Sequence, residues 1–331
     1  MIVPATVENI ARAAQALAAG ELVAFPTETV YGLGANARDA AAVTRLFAAK
    51  GRPAEHPVIV HLADAQALPR WAGTVPPDAS ALAAAFWPGP LTLILPRADG
   101  VADAVTGGQA SVGLRVPAHP IAHALLAKLA EFGCDGVAAP SANRFGRISA
   151  TTAQHVADEF GDTITLILDG GPSTHGIEST IVDFSSGEAV LLRPGSITSG
   201  EIARVLGPGD RPGPRSANVR APRASGTLAA HYAPQTPARL LARAELQAAL
   251  AGLGGPGAHI SVLAHSVAQP PDFEGTWFDA PGESASYAQQ LYANLRALDA
   301  READEIWIET PPDGPDWVAV GDRLRRATYR D

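Results

Sequence analysis

Cysteine is nearly absent from this chain of 331 residues. Cys134 is the only one, which excludes an intramolecular disulfide and a cysteine-rich metal site. Lysine is almost as scarce: Lys50 and Lys128 are the two lysines among 25 basic residues, and the rest are arginine. A lysine kept in so arginine-favouring a sequence is a candidate for a task that needs a compact ammonium rather than a planar guanidinium. Long apolar runs are missing too. None reaches the ~18 residues that a membrane-spanning helix takes. The opening stretch, MIVPATVENIARAAQ, has no basic segment followed by an apolar one. Neither a membrane span nor a signal peptide is therefore expected, and the chain reads as cytoplasmic. Basic charge is also short: the net charge of −9 disfavours a broad nucleic-acid coat, although a local basic pocket stays open.

What is present is a globular, loop-rich composition: 47% hydrophobic, 18% charged, with 32 Gly and 28 Pro. The length suggests about two domains. Residues 1–207 alternate helix and strand patterns. Thr6 caps a helix to Ala19 and Asp39 caps another to about Lys50, with further helices over 78–86, 120–131, 152–160 and 199–206. Short apolar strands fall at 21–25, 58–62, 91–95, 111–116, 136–139, 164–168, 180–184 and 189–192. This pattern predicts an α/β domain with a mixed sheet. Residues 208–237, rich in Pro, Gly and Ser and carrying Arg211, Arg215, Arg220 and Arg223, read as a linker. Residues 238–331 repeat the α/β pattern on a smaller scale, with strands at 239–241, 260–263 and 305–309 and helices at 245–253, 284–300 and 317–327.

Four segments carry residues suited to chemistry. PTETVYGLGAN, at 26–36, reads as a polar loop in which Thr27, Glu28, Thr29 and Tyr31 line a pocket beside flexible glycines. Its glycines match a dinucleotide fingerprint only superficially, because six residues separate strand and first glycine where that fold needs a tight turn. In AAKGRPAEHPVIVHL, Lys50 and Arg52 suit either a helix-end dipole contact or a polyphosphate clamp, and His61 ends the following strand. Ser141, Asn143, Arg144, Arg147 and Ser149 follow a strand that stops at Pro140, and their hydroxyls, amide and guanidiniums suit phosphate or ribose oxygens. Ser141 lacks a nucleophile elbow. Ser179, Thr180, Arg193 and Arg115 also stand at strand ends, so the segments together are consistent with one anion-binding pocket or with scattered surface arginines. His119 and His123 lack a zinc-protease context, and Cys134 has no indicated histidine partner. The linker arginines suit either solvent or a lid over phosphates.

PTETVYGLG, Lys50-Gly51-Arg52, Ser141-Ala142-Asn143, GIEST at 176–180 and LRPG at 192–195 occur in order, followed by HYAPQTP at 231–237 and DRLRRA at 322–327. In these motifs and this layout the chain resembles the threonylcarbamoyl-AMP synthases, the YrdC-like family, in its longer two-domain form. The resemblance implies a twisted mixed-sheet YrdC-like catalytic domain and a smaller Rossmann-like α/β domain. It implies an enzyme that joins L-threonine, bicarbonate or CO2, and ATP into threonylcarbamoyl-AMP and pyrophosphate. Mg2+ would arrive with ATP, and the product would pass to a separate complex that modifies tRNA. By motif position, Thr29, His61, Arg115, Ala139 and Ser179 would line the threonine site, with Arg115 on the carboxylate. Lys50, Arg52, His56, Ser111, Ser141, Asn143, Ser149 and Arg193 would hold ATP, with His231 or Tyr232 closing on it, and Lys50, Arg52, Ser141 and Asn143 would carry catalysis. Departures from the pattern are His56, where the family often has Asn, and Thr227-Leu228-Ala229-Ala230 in place of a basic run before HYAP. No metal ligands, no stable nucleic-acid binding and no membrane are expected. The other readings are a double-stranded-RNA module, a related carbamoyltransferase module, and a member that binds nucleotide without forming the adenylate.

Overall fold

Apolar residues at every second position make strands with two distinct faces, and helices with apolar residues three and four apart cover those faces. The computed structural model describes residues 1–207, 222–253 and 259–329. They divide into two units, Met1–Phe145 with Ala150–Thr227, and Gly146–Ser149 with Leu228–Asp331. Among the described residues no helix is long and apolar enough to cross a membrane.

The first unit is built on ten strands: β1 (Ile2–Pro4), β2 (Val23–Phe25), β3 (Gly32–Asn36), β4 (Ile59–His61), β5 (Leu91–Pro96), β6 (Ser111–Arg115), β7 (Val137–Ala138), β8 (Leu166–Asp169), β9 (Thr180–Asp183) and β10 (Val190–Arg193). They form one mixed sheet in the order β1-β8-β2-β3-β7-β4-β6-β5-β9-β10. Pairs such as β4–β6 and β5–β9 are parallel, while β2–β3 and β5–β6 are antiparallel. One face carries Val60, Leu62, Leu91, Leu93, Val112, Leu114 and Val182, packed with residues of the helices Ala40–Lys50, Pro77–Phe86, Ala153–Phe160 and Ser199–Leu206. The opposite face of β2, β7 and β8 packs Val23, Phe25, Val137 and Leu168 against the helices Val7–Ala18 and Pro120–Ala130. On β4, β6, β5 and β9 that same alternation points Ile59, Ser111, Gly113, Thr92, Ile94 and Ile181 into a cleft instead.

Local signals set the helix ends. Thr6 Oγ1 accepts from the Asn9 amide and Asp39 Oδ1 from those of Ala41 and Ala42, each meeting N–H groups the first turn leaves open. The helix Ala40–Lys50 stops at Gly51, whose φ of +62° favours glycine. Gly32–Asn36, expected within a loop, is instead the buried strand β3. Its Gly34 serves close packing rather than flexibility: a Cβ there would lie 2.9 Å from both the Phe25 ring and Val137 Cγ1. Strand β1 went unread because three residues show no period.

The second unit holds a four-stranded sheet of β11 (Ala238–Leu241), β12 (Ile260–Ala264), β13 (Thr276–Asp279) and β14 (Glu305–Glu309), in the order β11-β14-β12-β13 and parallel throughout. The helices Arg243–Ala251, Ser284–Asp299 and Val318–Ala327 belong to the same unit. The segment expected as one linker is divided: residues 222–227 fall in the first unit and 228–237 in the second. Arg211, Arg215 and Arg220 lie outside the described residues.

Candidate active site

The turn after β2 is organised by its own hydroxyls. Thr27 Oγ1 lies 2.9 Å from Thr29 Oγ1, donates to the Val30 carbonyl and accepts from the Val30 amide. The backbone of this segment is tied to the strand end before Ser141, with the Leu33 amide donating to the Pro140 carbonyl and the Ala142 amide to Tyr31. Between the two threonines, Glu28 is buried and meets Arg115 from the end of β6 at 2.6 Å. Arg115 also donates to Thr29 Oγ1 at 2.9 Å and to the Gly89 carbonyl at 3.2 Å. His61 is the register partner of Arg115 across the parallel β4–β6 pair and is 3% exposed. Burial, with the Arg115 charge behind it, pushes its imidazole down to about 3, so it is neutral near pH 7. Ala139 is buried beside it, its amide donating to Ile59.

A second group forms around Ser179 at the start of β9. Its hydroxyl lies 2.7 Å from Thr92 Oγ1 and accepts from Arg193 Nη2 at 3.1 Å. Arg193 further donates to the Ser225 carbonyl at 2.8 Å, and Arg52 donates to the Pro57 carbonyl at 2.7 Å and reaches Ser225 Oγ at 3.4 Å. The segment Arg223–Ser225 thus lies along the uncovered sheet face. It is fixed there as well by Gln109, which exchanges hydrogen bonds with the Arg223 backbone. Together with Ile59, Thr92, Ser111 and Gly113 it lines a cleft open to solvent. His56 is half-buried, edge-on to Phe145 at 5.2 Å, and the Arg52 guanidinium lies 5.5 Å from the same ring.

Lys50 differs from the phosphate clamp expected of it. Its Nζ is buried and donates to the carbonyls of Ser141, at 2.6 Å, and Asn143. Burial, reinforced by the Arg52 charge, holds its ammonium well below the ordinary lysine range. An ammonium with three donors on a thin stem suits two converging carbonyls, as a planar fork would not. Lys50 therefore locks the Ser141–Asn143 loop to the end of its helix.

The structure brings Thr29, His61 and Arg115 together with Glu28, Ser179 together with Arg193 and Thr92, and Lys50 together with Ser141 and Asn143. Ser149, His231 and Tyr232 belong to the second unit. There Arg296 donates to the Ser149 carbonyl, and the rings of His231 and Tyr232 lie 4.2 Å apart. Tyr232 is buried with φ +61°, beside Tyr292 and under the Arg323 guanidinium. Sequence reasoning missed Thr92 and Ser225 as parts of the site, and it read Arg223 only as solvent-facing or as part of a lid over phosphates. The alternation of β5 could have found Thr92, but no local signal marks Ser225. Two other residues have structural tasks: His119 caps the helix Pro120–Ala130 through Nδ1, and the buried Cys134 accepts from Asn36 Nδ2. Among the described residues no three His, Cys, Asp or Glu side chains converge as metal ligands.

The family described as "Telomere recombination", Sua5/YciO/YrdC, matches residues 15–195. The chain belongs to the Sua5/YrdC family. The family described as "Threonylcarbamoyl-AMP synthase, C-terminal domain" matches residues 197–328, so both Sua5 parts are present. Among Sua5-type relatives, the threonylcarbamoyl-AMP synthase of Pyrococcus abyssi is 39% identical over 319 residues, covering 94% of this chain and 92% of the relative. That of Bacillus subtilis is also 39% identical, over 325 residues, covering 96% and 92%. The crystal structure of P. abyssi Sua5 complexed with L-threonine matches with a TM-score of 0.89 at 37% identity, covering 99% of this chain and 97% of that one.

Proposed function

We propose that this Sua5/YrdC-family chain is an L-threonylcarbamoyladenylate synthase, a nucleotidyltransferase that converts L-threonine, CO2 or bicarbonate, and ATP into threonylcarbamoyl-AMP and pyrophosphate. The observation that carries the reading is the composition of one end of the sheet. A polar group around Arg115, Glu28 and Thr29 and an arginine-bearing group of Arg193 and Arg52 share one unit, with Ser179 and Thr92 beside Arg193.

Threonine occupies the first end, with Thr29, His61, Ala139 and Ser179 around it and its carboxylate on Arg115. ATP occupies the second. Arg52, Ser111 and Arg193 face its phosphates and ribose, Ser141 and Asn143 present hydroxyl and amide, and His56 flanks the site. By the family resemblance, Ser149 and either His231 or Tyr232 are further candidates for nucleotide contact. Lys50 acts by fixing the Ser141–Asn143 loop. ATP then takes over the donors that Arg52 and Arg193 now give to Ser225. Threonine's ammonium gives one proton to bicarbonate, which yields CO2 and water; the freed amine then adds to the carbon of CO2 and loses a second proton to solvent, giving an N-carboxylate. An oxygen of that carboxylate attacks the α-phosphorus, and pyrophosphate leaves. No protein nucleophile is required, since alignment and neutralisation of the developing charge supply the acceleration.

Mg2+ fits this site as an ion carried by the nucleotide. The hydroxyl and amide oxygens of Ser141 and Asn143 suit an ion that keeps most of its bonds to phosphate and water, and its chemistry would be charge neutralisation on the triphosphate. The product passes to a separate tRNA-modifying complex in the cytoplasm. The test is pyrophosphate release from ATP and bicarbonate, with and without L-threonine, and with L-serine as control. Release that depends on both L-threonine and bicarbonate is expected. Release indifferent to threonine would sink the reading.

A further inference from the structure

The threonine end contains a charged group that the reading above leaves without a task. Glu28 is 5% exposed; its Oε1 accepts from Arg115, while its Oε2, equally enclosed, has no hydrogen-bond partner among the described residues. An ionised oxygen held away from water without a donor is costly, so a site that keeps one is prepared for a donor that arrives later. Burial alone would raise the Glu28 carboxyl, but the charge and hydrogen bond of Arg115, assisted by the backbone amides of Glu28 and Ala118, outweigh it and hold it below the ordinary carboxylate value. The three imidazoles that sense Glu28, those of His61, His119 and His175, are each pushed down by burial and bring no positive charge near pH 7. Arg115 uses three of its five N–H donors, on Gly89, Thr29 and Glu28, and keeps two. The pair therefore offers one spare anionic acceptor and two spare cationic donors side by side.

We propose that Glu28 reads the α-ammonium of the amino-acid substrate through Oε2, while the remaining N–H groups of Arg115 take the α-carboxylate, so that the buried pair recognises a zwitterion. The assignment rests on the threonine reading above. Opposite charges that are already paired form a dipole, and an α-amino acid is the complementary dipole, so binding adds no net charge to the buried site. The pair then discriminates against hydroxy acids, which leave Oε2 without its donor. Glu28 is a counter-ion rather than a base. The ammonium of a free amino acid loses its proton above about pH 8, more than ~3 pH units above a depressed carboxylate, which cannot hold that proton.

The test is calorimetric titration of the full chain and of Glu28→Gln with L-threonine and with 2,3-dihydroxybutanoate, in which a hydroxyl replaces the amine. The native chain is expected to bind L-threonine at least ~30-fold more tightly, the worth of a charged hydrogen bond. Glu28→Gln is expected to lose at least ~10-fold in L-threonine affinity while binding the hydroxy acid as well as before or better, because the net charge at the site becomes more positive. Equal weakening toward both ligands would mark a merely structural residue and overturn the proposal, as would unchanged L-threonine binding. If Glu28→Gln does not fold, the native comparison alone decides: equal affinities overturn it. A native chain that binds neither ligand overturns the synthase reading itself, whereas L-threonine binding without preference overturns only the role of Glu28.

Discussion

Each unit buries a glutamate whose carboxyl is depressed, and the two are opposite in what they leave open. Glu309, at the end of β14 and 1% exposed, is saturated by its own surroundings. Its Oε2 accepts from the amides of His265, Ser266 and Val267, and its Oε1 from the Ser266 hydroxyl. Burial pushes its carboxyl up, and these hydrogen bonds, Ser266 foremost, bring it below the ordinary value. Glu28 owes the same direction of shift mainly to one arginine and keeps one oxygen unmet. Burial and charge are alike; satisfaction is not. A buried carboxylate whose acceptors are all filled by the chain is part of the fold, and one with an acceptor left open points to a ligand.

The largest effects should come from the incomplete side. Arg115→Ala removes both the proposed threonine carboxylate contact and the partner of Glu28. We expect threonine-dependent pyrophosphate release to fall by at least ~10³-fold and unfolding free energy by ~3–5 kcal/mol, read by denaturant titration. Lys50→Ala should cost at least ~10²-fold in turnover and lower the melting temperature, because the Ser141 and Asn143 carbonyls lose their donor. Lys50→Arg should not restore the rate, because the fork cannot take the ammonium's place. On the saturated side, Glu309→Ala strands three amides and should cost ~2–4 kcal/mol of stability while leaving L-threonine affinity within about twofold. A large loss of threonine affinity in that variant would break the contrast between the two glutamates. Asp39→Ala, which removes only a helix cap, should cost ~1 kcal/mol and leave turnover unchanged.

The smallest effect is a flat line. Between pH 6.5 and pH 8 Glu28 stays ionised and His61, His119 and His175 stay largely neutral, so calorimetric L-threonine affinity should vary by less than about threefold. Stability should not be flat. His61 is held at about 3, whereas its unfolded counterpart takes up a proton near pH 6.5, so its burial weakens the fold as pH falls from about 6.5 toward 3. The stabilising effects of Glu28 and Glu309 are complete above about pH 4.5 and vanish as pH falls through their lower folded values. Thermal melts across this range test both signs.

Much of this was legible before the structure. Thr6 and Asp39 cap the expected helices, and the strands at 91–95 and 111–116 fall within a residue of β5 and β6, because caps and alternation are local signals. Thr29 stood out in a polar loop and His61, Arg115, Ser179 and Arg193 at strand ends, and the family resemblance named their neighbours. Three things were not legible. β3 hid behind glycines, whose close packing against Phe25 and Val137 is a tertiary fact. Lys50 stood out as a rare ammonium, but nothing local says that its acceptors are two carbonyls 91 and 93 residues away. Ser225 meets Arg193 from 32 residues downstream, across a stretch whose composition reads as solvent-exposed.

Strand β6 has a consequence for how this protein can change over time. Ser111 and Gly113 line the cleft and Arg115 continues their phase, alternating with Val112 and Leu114, so candidate site and hydrophobic core are written into one stretch of chain in odd and even phase. An insertion or deletion of one residue there would not weaken the site by degrees; it would exchange the two messages, turning the guanidinium into the helix layer and leucine into the cleft. Point substitutions keep the messages apart, so odd positions can tune substrate choice while even positions answer only for stability. Length along this strand is therefore the property least free to drift.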